Sequence, residues 1–344
     1  MAVAPALAAL DAGWFAGVLD APVTAVEIEA VAFTGATTDM ARVRLEYATG
    51  GTGPASIIAK ITGADEMRAG MDAAMGLFAR EGHFYEHVAR DVPVRTPHCW
   101  FVGDGTETPL LLEDLAGLRM GDQMEGLRVE DAERIVDVLA RLHAQFWESA
   151  ELQRDWLIDP AAGTYGAMVV QLVSSGADTL QERYAGKASA RALAAVADHA
   201  GDWGHVLRRG VEGPHTLVHN DCRLDNVFFA EDGEPVLIDW QAPARTRGTQ
   251  DVANLFAQSM DADLLSANWQ DLLRRYHGGL VDGGVPGYSW EQCTEHYRQN
   301  VPYALGAGMA LIGMMDIGDG RGLGDAIIMR ALSHIDDIDA FAVI

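Results

Sequence analysis

A short hairpin in the second half of the chain constrains the fold most strongly. The stretch VFFAEDGEPVLI, residues 227–238, places an Asp-Gly pair between two apolar runs. This pattern is the strongest local signal for two antiparallel strands joined by a tight turn. With Asp232 and Gly233 as the two turn residues, Asn226 faces Asp239 at the open end of the hairpin. Because opposed residues of antiparallel strands lie about 5 Å apart, an amide and a carboxylate are predicted to lie side by side.

A third polar side chain is expected near the same point. Asp221 precedes Asn226 by five residues, on a loop after the predicted strand TLVH. Carboxylate and amide oxygens are hard ligands, which suit a Mg²⁺ ion that also contacts substrate phosphates. Any one of Asp221, Asn226 and Asp239 alone is more simply interpreted as a cap or turn residue. The three together favour a functional site.

The rest of the chain divides into a strand-rich part and a helix-rich part. Apolar and polar residues alternate in AVEIEAVAF and ARVRLEYA, which predicts half-buried antiparallel strands. Further strands are predicted at ASIIAKIT, TPHCWFVG and TPLLLEDL, and helices over Leu7–Leu19 and over AAMGLFAREGHFYEHVA, residues 73–89. Later segments such as AERIVDVLARLHAQFW place their apolar residues on one helical face.

These elements predict an α+β chain with two lobes. The predicted boundaries are a β-rich lobe at 1–112, a short connection at 113–116, and a helical lobe at 117–344. A cleft between two lobes is where small ligands usually bind. A small-molecule site is therefore expected between them.

Charge and composition narrow the possible partners. The chain has 344 residues and a formal net charge of −25, which repels nucleic acid and anionic lipid. The N-terminal segment lacks the basic region of a signal peptide, and the apolar run Val301–Met315 is shorter than the ~20 residues that span a bilayer. Cys99, Cys222 and Cys293 fit neither a zinc site nor a disulfide framework. A cytoplasmic protein that acts on a small molecule is expected.

Two motifs resemble a known superfamily. HNDCRLDN, residues 219–226, followed by IDW, residues 238–240, resembles the catalytic signature of the aminoglycoside phosphotransferase and choline kinase-like superfamily. The resemblance runs from about residue 20 onward and is closest to the ecdysteroid kinase-like branch. It implies an α+β, bilobal protein-kinase-like fold, in which the lobe at 1–112 binds the nucleotide, residues 113–116 form the hinge, and the helical lobe at 117–344 holds the catalytic loop and the acceptor site. It also implies an ATP-dependent kinase that uses Mg²⁺ and transfers a phosphoryl group to a hydroxyl of a small molecule.

The resemblance implies a role for each residue of the two motifs. Asp221 is expected to be the catalytic base, and Asn226 and Asp239 are expected to hold Mg²⁺ on the ATP phosphates. His219 and Asp251 are expected to support the catalytic loop. The family usually has Gly where this chain has Asn220, and Asn tolerates a left-handed backbone better than most residues.

Further residues match the nucleotide site of the family. Lys60 matches the strand lysine that contacts the α- and β-phosphates, with an outward-facing edge position as the alternative. Glu81 matches the helix glutamate that pairs with this lysine, and Glu86 is the competing choice. Gly35 is the one glycine of the expected phosphate loop FTGATTDMAR, where protein kinases have three. The connection from Glu113 to Leu115 is expected to meet adenine.

The acceptor is predicted with less detail. Only eleven residues separate Asp239 from Asp251, which leaves little room for a peptide platform and favours a small molecule. Aromatic and methionine residues near the C-terminus favour an apolar or amphipathic alcohol: Trp290, Tyr297, Tyr303, Met309, Met314 and Met315. Acids in the same region suit either a solvated face or a cationic substrate: Asp316, Asp319, Asp325, Asp336, Asp337 and Asp339.

Three alternatives stay open at this point. An aminoglycoside or choline-type phosphotransferase would act on a cationic substrate. A non-catalytic nucleotide-binding regulator would need less of the phosphate loop. A metal-dependent hydrolase is disfavoured because the eleven histidines show no cluster at ligand spacing.

Overall fold

The computed structural model describes residues 3–31, 37–315 and 322–344, with side chains described throughout except at 307 and 310–315. The chain forms two compact units. The first consists of Met1–Asp91, Arg95–Arg119 and Leu237–Gln241, and the second of Val92–Val94, Met120–Val236 and Ala242–Ile344. The first unit thus includes a five-residue segment that contains Asp239. The predicted domain limits at 112 and 116 stay predictions.

A five-stranded antiparallel sheet forms the centre of the first unit. Its strands are β1 (Val23–Ala30), β2 (Thr38–Tyr47), β3 (Ser56–Thr62), β4 (Cys99–Phe101) and β5 (Leu110–Glu113), in the order β1-β2-β3-β5-β4. Side chains alternate between the two faces of a strand. Ile57, Ala59 and Ile61 therefore share one face of β3, where they are buried in a core with Leu7 and Phe15. Lys60 lies on the other face of this central strand.

Each helix predicted in the first unit is divided in two. The helices are α1 (Pro5–Ala8), α2 (Ala12–Leu19), α3 (Glu66–Met75) and α4 (Leu77–His87). Asp11 interrupts the first pair, because its side chain accepts a hydrogen bond from the Trp14 N–H and caps α2 (2.8 Å). Gly76 interrupts the second pair with φ +63°, a left-handed conformation that commonly ends a helix.

The second unit is mainly helical. Its helices are α5 (Val129–Gln145), α6 (Gly163–Tyr184), α7 (Ala190–Ala200), α8 (Trp203–Val211), α9 (Thr249–Ser259), α10 (Ala262–Asp282), α11 (Trp290–Met315) and α12 (Leu323–Asp337). Every residue of α9 is buried. Several of these residues are polar, and buried polar groups require hydrogen-bond partners. The helix therefore organises the polar interior of this unit.

Two small sheets complete the described structure. Strand β7 (Thr216–Val218) pairs with β10 (Ala244–Thr246), and the strands β6 (Arg119–Met120), β8 (Val227–Phe229) and β9 (Pro235–Leu237) lie in the order β6-β8-β9. The predicted hairpin is thus present as β8 and β9.

The turn of this hairpin differs from the prediction. The Ala230 N–H donates to the Glu234 carbonyl (2.9 Å), and the Gly233 N–H donates to the Ala230 carbonyl (2.9 Å). Gly233 has φ +85°. These features define a three-residue loop with glycine in the left-handed position. The two-residue turn at Asp232 and Gly233 is therefore wrong, and the pairing next to the loop shifts by one residue.

Within the residues that the structure describes, no helix combines the length and the apolar character needed to cross a lipid bilayer.

Candidate active site

A buried lysine lies between two carboxylates in the first unit. Lys60 is 4% exposed, and its Nζ lies 2.7 Å from Glu81 Oε2 and 2.5 Å from Asp239 Oδ1. Its strand is flanked on both sides, with Met40 and Leu110 as the paired residues. Lys60 therefore does not occupy an outward-facing edge position, which was the simpler alternative.

The rotation of α4 decides which glutamate meets this lysine. Glu81 lies on the buried face of the helix together with Leu77, Phe78, Phe84 and Tyr85. The competing choice, Glu86, is exposed. The lysine–glutamate pair thus joins the central strand of the sheet to α4.

Burial and charge act in opposite directions on this cluster. Burial by itself lowers the pKa of Lys60, but the negative charges of Asp239 and Glu81 outweigh it and raise this pKa above its usual value. Burial raises the pKa of Glu81, and the charge of Lys60 opposes that rise. In this cluster one amine is therefore paired with two carboxylates. A buried charge of this kind is tolerated only when it is paired.

Asp239 is held in place by the residues that follow it. Its backbone adopts φ +64°, a conformation that Asp tolerates better than most residues. The Gln241 side-chain amide donates to Asp239 Oδ2 (3.0 Å). The Trp240 ring stacks on Phe84 of α4, with centroids 4.0 Å apart and planes 3° apart. The same helix therefore positions both Glu81 and the segment that carries Asp239.

The predicted catalytic loop, in the second unit, is anchored to the start of α9. The His219 N–H donates to Asp251 Oδ2 (2.7 Å), and the Asn220 N–H donates to Oδ1 (2.8 Å). On its other side, Asp251 Oδ2 lies 3.3 Å from His143 Nε2, and His143 Nδ1 lies 2.8 Å from the Tyr276 hydroxyl. All these groups are buried. Asp251 thus fixes the backbone just before Asp221.

Asn220 adds a second anchor beneath the loop. Its backbone has φ +68°, which confirms that Asn is accommodated in the left-handed conformation at this position. Its side-chain oxygen accepts hydrogen bonds from the Gln250 amide and from the Tyr303 hydroxyl. The Tyr303 hydroxyl lies 3.2 Å from the hydroxyl of Tyr165. The side chain that a glycine would lack therefore connects the loop to α9, α11 and α6.

Asp221 contacts two residues of its own loop. The Asn226 amide nitrogen donates to the Asp221 carbonyl (2.8 Å) and to its Oδ2 (3.0 Å). Arg223 Nε lies 3.3 Å from Asp221 Oδ1, and Arg223 Nη1 lies 3.0 Å from Asp225 Oδ2. Both contacts hold the Asp221 carboxylate in place within the loop.

Each predicted metal ligand is of a type that suits a magnesium ion. Because the amide nitrogen of Asn226 donates to Asp221, its amide oxygen is the atom that can act as a ligand. Asp239 offers a carboxylate. Both are hard oxygen ligands of the type that Mg²⁺ prefers.

The proposed adenine connection is braced by side chains of its own unit. The Glu113 N–H donates to the His98 carbonyl (2.8 Å) and is therefore engaged within the unit. Asp114 accepts hydrogen bonds from Arg42 Nε (2.7 Å) and Ser56 Oγ (2.7 Å). The connection is thus tied to β2 and β3.

Gly35 lies outside the described residues, together with residues 33, 34 and 36 of the expected phosphate loop. Cys222, next to Asp221, is buried, and this burial raises the pKa of its thiol well above the usual value. An inert thiol is therefore the interpretation that the structure favours.

Sequence reasoning missed several supporting residues. Gln123 accepts a hydrogen bond from the Leu224 N–H (3.0 Å) through its side chain, while its own N–H donates to Asp225 (3.0 Å). Arg223, Tyr165 and the His143–Tyr276 pair are further supporting residues without a predicted role. Arg223 lies inside the HNDCRLDN motif, whereas His143 appears only as a polar residue within the apolar stretch LARLHAQFW.

One prediction about histidines is wrong. His83, Glu86 and His87 bring potential metal-ligand atoms within 4.8 Å of one another. The sequence was expected to contain no such cluster.

Comparison with known proteins identifies the family of the chain. The ecdysteroid kinase-like family model matches residues 34–283. The chain belongs to the ecdysteroid kinase-like family. This confirms the resemblance and the predicted enzyme class, since the family consists of kinase-like phosphotransferases. No curated protein matches the chain at a significant level.

Solved structures show the same fold. A choline kinase from Cryptosporidium parvum Iowa II is 10% identical, with 92% of this chain and 88% of that chain covered and a TM-score of 0.52. The choline kinase LicA from Streptococcus pneumoniae is 16% identical, with 94% and 96% covered and a TM-score of 0.54. The gentamicin–APH(2″)-IIa complex is 12% identical, with 94% and 96% covered and a TM-score of 0.54. The α+β, protein-kinase-like fold is thus confirmed.

Proposed function

We propose that this member of the ecdysteroid kinase-like family transfers the γ-phosphoryl group of Mg·ATP to a hydroxyl of a small apolar or amphipathic molecule. The observation that carries the proposal is the buried Lys60 between Glu81 and Asp239, at 2.7 and 2.5 Å. A lysine is seldom buried without a partner. A fixed amine beside a carboxylate that can bind a metal ion is the arrangement that phosphate groups require.

Each residue then has a defined task. Lys60 contacts the α- and β-phosphates and Glu81 keeps its amine in place, while the backbone of the Glu113–Leu115 connection meets adenine. Asp239 and Asn226 hold Mg²⁺, which when bound neutralises charge on the phosphates. The phosphate loop with Gly35 covers the nucleotide.

Asp221 is the proposed catalytic base. It accepts the proton of the acceptor hydroxyl as the oxygen attacks the γ-phosphorus, and ADP leaves. Arg223 and Asn226 hold its carboxylate, and Asp251 fixes the backbone before it through His219 and Asn220. Phosphoryl transfer depends mainly on positioning and charge. The many hydrogen bonds beneath this loop supply the positioning.

The pairing of acids in the C-terminal region supports an apolar or amphipathic acceptor. Tyr297, Tyr303 and Met309 belong to the buried core of the second unit and do not bear on the acceptor. Two acids of α12 are already paired, since Asp325 lies 2.8 Å from Arg183 Nε and Asp336 lies 2.6 Å from Arg191 Nε. Such pairs reduce the negative charge available to a polycation. A polycationic acceptor of the aminoglycoside type is thereby disfavoured.

Binding and turnover test the proposal together. Calorimetry should show ATP binding that weakens when Mg²⁺ is omitted, and Asp239→Asn should weaken the Mg²⁺-dependent part. Asp221→Asn keeps the shape of the side chain and removes the base. It should lower turnover on an accepted alcohol by roughly 10²–10⁴-fold while ATP affinity changes little.

The control is Asp198→Asn, the same substitution at an exposed position of α7, which should leave both quantities unchanged. A folded protein that binds no ATP with or without Mg²⁺ would refute the proposal. Near-normal turnover by Asp221→Asn would refute the assignment of the base.

A further inference from the structure

One face of α4 carries a group of side chains that the proposed nucleotide site does not use. His83, Glu86 and His87 are spaced i, i+3 and i+4, so they project from the same side of the helix. At 100° per residue, the three lie within a sector of about 100°, and Glu81 points to the opposite side. The helix thus presents Glu81 to Lys60 and a separate polar cluster to solvent.

The three side chains are already close together. His83 Nδ1 lies 3.7 Å and His87 Nε2 lies 3.9 Å from Glu86 Oε2. The two imidazole rings stack with centroids 5.7 Å apart and planes 17° apart. Their side chains are 43%, 46% and 47% exposed for His83, Glu86 and His87. The cluster is therefore assembled at the surface, although His83 Nδ1 itself is covered, so an ion reaches this nitrogen after a rotation of the imidazole ring.

The spacing suits a first-row transition metal. Zinc binds imidazole nitrogen and carboxylate oxygen at about 2.0–2.2 Å, which places tetrahedral ligand atoms about 3.4 Å apart. The observed separations of 3.7 and 3.9 Å are only a few tenths of an ångström longer, and side-chain rotation can close such a gap. Two histidines at i and i+4 on one helix face are a recurrent zinc-binding arrangement.

The location favours a cation as well. The cluster lies in the last two turns of α4, which ends at His87. The C-terminal end of a helix carries a partial negative charge, which stabilises cations nearby. Two imidazoles and one carboxylate select a metal of intermediate softness over Mg²⁺, which prefers oxygen ligands alone.

We infer that His83, Glu86 and His87 form a surface site for Zn²⁺ or a similar transition-metal ion, with water completing the coordination. The ion links the last two turns of the helix that holds Glu81 against Lys60. The site uses none of the residues assigned to ATP or to Mg²⁺. The inference therefore does not depend on the proposed function.

Zinc binding by the full chain tests the inference. After treatment with a chelator, titration with ZnCl₂ in a calorimeter should show one ion bound per chain at this site. The double variant His83→Gln/His87→Gln should bind zinc roughly 10-fold or more weakly, since even residues that only support metal ligands change affinity by 10–100-fold. The control His205→Gln, which removes an exposed histidine of α8, should keep the parent affinity.

Two further measurements identify the site. Co²⁺ should give visible absorption bands of a nitrogen- and oxygen-ligated ion in the parent and in His205→Gln but not in the double variant. Zinc should raise the melting temperature of the same two proteins only. Glu86→Gln, which keeps both histidines, should weaken zinc binding without loss of fold.

Zinc binding that is unchanged in the folded double variant would place the ion elsewhere and overturn the inference. Absence of zinc binding in the parent would overturn it as well. ATP binding in the presence of Mg²⁺ should be retained by the double variant, which separates this test from that of the proposed function.

Discussion

Asn220 occupies a backbone conformation that usually requires glycine, and hydrogen bonds to its side chain stabilise it there. Its left-handed backbone, φ +68°, is a conformation that glycine adopts without strain. The Asn side chain offsets this strain through hydrogen bonds from Gln250 and Tyr303. The loop before Asp221 is consequently fixed by a side chain as well as by its backbone.

Two substitutions separate these effects. Asn220→Gly removes the strain but leaves the Gln250 and Tyr303 donors without this acceptor, so the free energy of unfolding should fall by about 1–3 kcal/mol. Asn220→Ala loses the same acceptor and keeps a Cβ in the left-handed conformation, which should cost about 1 kcal/mol more. Urea unfolding measures both values. A glycine variant more stable than the parent would show that the side-chain hydrogen bonds contribute nothing.

At the scale of an element, helix α9 is a buried helix that holds the loop before Asp221 through a polar side chain. It is buried along its whole length, yet its first turn contains Asp251. Each carboxylate oxygen of Asp251 accepts a separate backbone N–H, from His219 at 2.7 Å and from Asn220 at 2.8 Å. Acidic groups near a helix N-terminus also interact favourably with the helix dipole. One buried residue thus joins the helix to the proposed catalytic loop.

Asp251→Asn should disrupt this connection although it is nearly isosteric. An amide has one acceptor oxygen, so its NH₂ group would face a backbone N–H that also needs an acceptor. The free energy of unfolding should fall by roughly 2–4 kcal/mol, and turnover should fall because the backbone before Asp221 loses an anchor. Urea unfolding and a kinase assay measure the two effects.

The matched control is Asp263→Asn, an exposed acid in the first turn of α10. This variant should stay within about 0.5 kcal/mol of the parent. Equal effects of the two substitutions would show that the interaction of Asp251 with the loop is unimportant.

At the scale of the whole molecule, buried histidines make stability depend on pH. Burial lowers the pKa of His334 to about 3, while the Tyr297 hydroxyl lies 2.7 Å from its Nε2. In the unfolded chain a histidine titrates near pH 6.5. Between these two values the unfolded state binds the proton and the folded state does not. The contribution of His334 to the free energy of unfolding is therefore complete above about pH 6.5. It is lost as the pH falls toward 3.

His334→Gln should make the acid sensitivity shallower. Below pH 6.5, proton uptake by His334 in the unfolded chain should lower the free energy of unfolding of the parent by up to about 1.4 kcal/mol per pH unit. The glutamine variant cannot take up that proton, so its free energy of unfolding should change less with pH. Urea unfolding at pH 7, 6 and 5 measures the slopes, with His205→Gln as a control that keeps the parent slope. Parallel curves for the parent and His334→Gln would contradict the prediction.

Local patterns in the sequence were sufficient for part of the site. The HNDCRLDN and IDW motifs, the alternation around Lys60 and the helical spacing of α5 depend on residues close to one another in the chain. The choice between Glu81 and Glu86 also had a local signal. Leu77, Phe78, Phe84 and Tyr85 surround Glu81 at helical spacing, which predicts that this glutamate faces the interior.

Other features were decided by tertiary structure. The sequence by itself determined which segments form strands or helices and which functional group each position offers. Strand alternation, helix periodicity and motif spacing are short-range properties and can be recognised without the tertiary structure. The sequence did not determine the three-residue loop at Gly233, since an Asp-Gly pair is compatible with more than one turn. Nor did it determine the partners of Asp251 or of Asn220, which come from helices more than 70 residues away as well as from α9. Those contacts exist only because packing of apolar faces fixes the rotation of each helix, and a rotation of one position would exchange buried for exposed side chains.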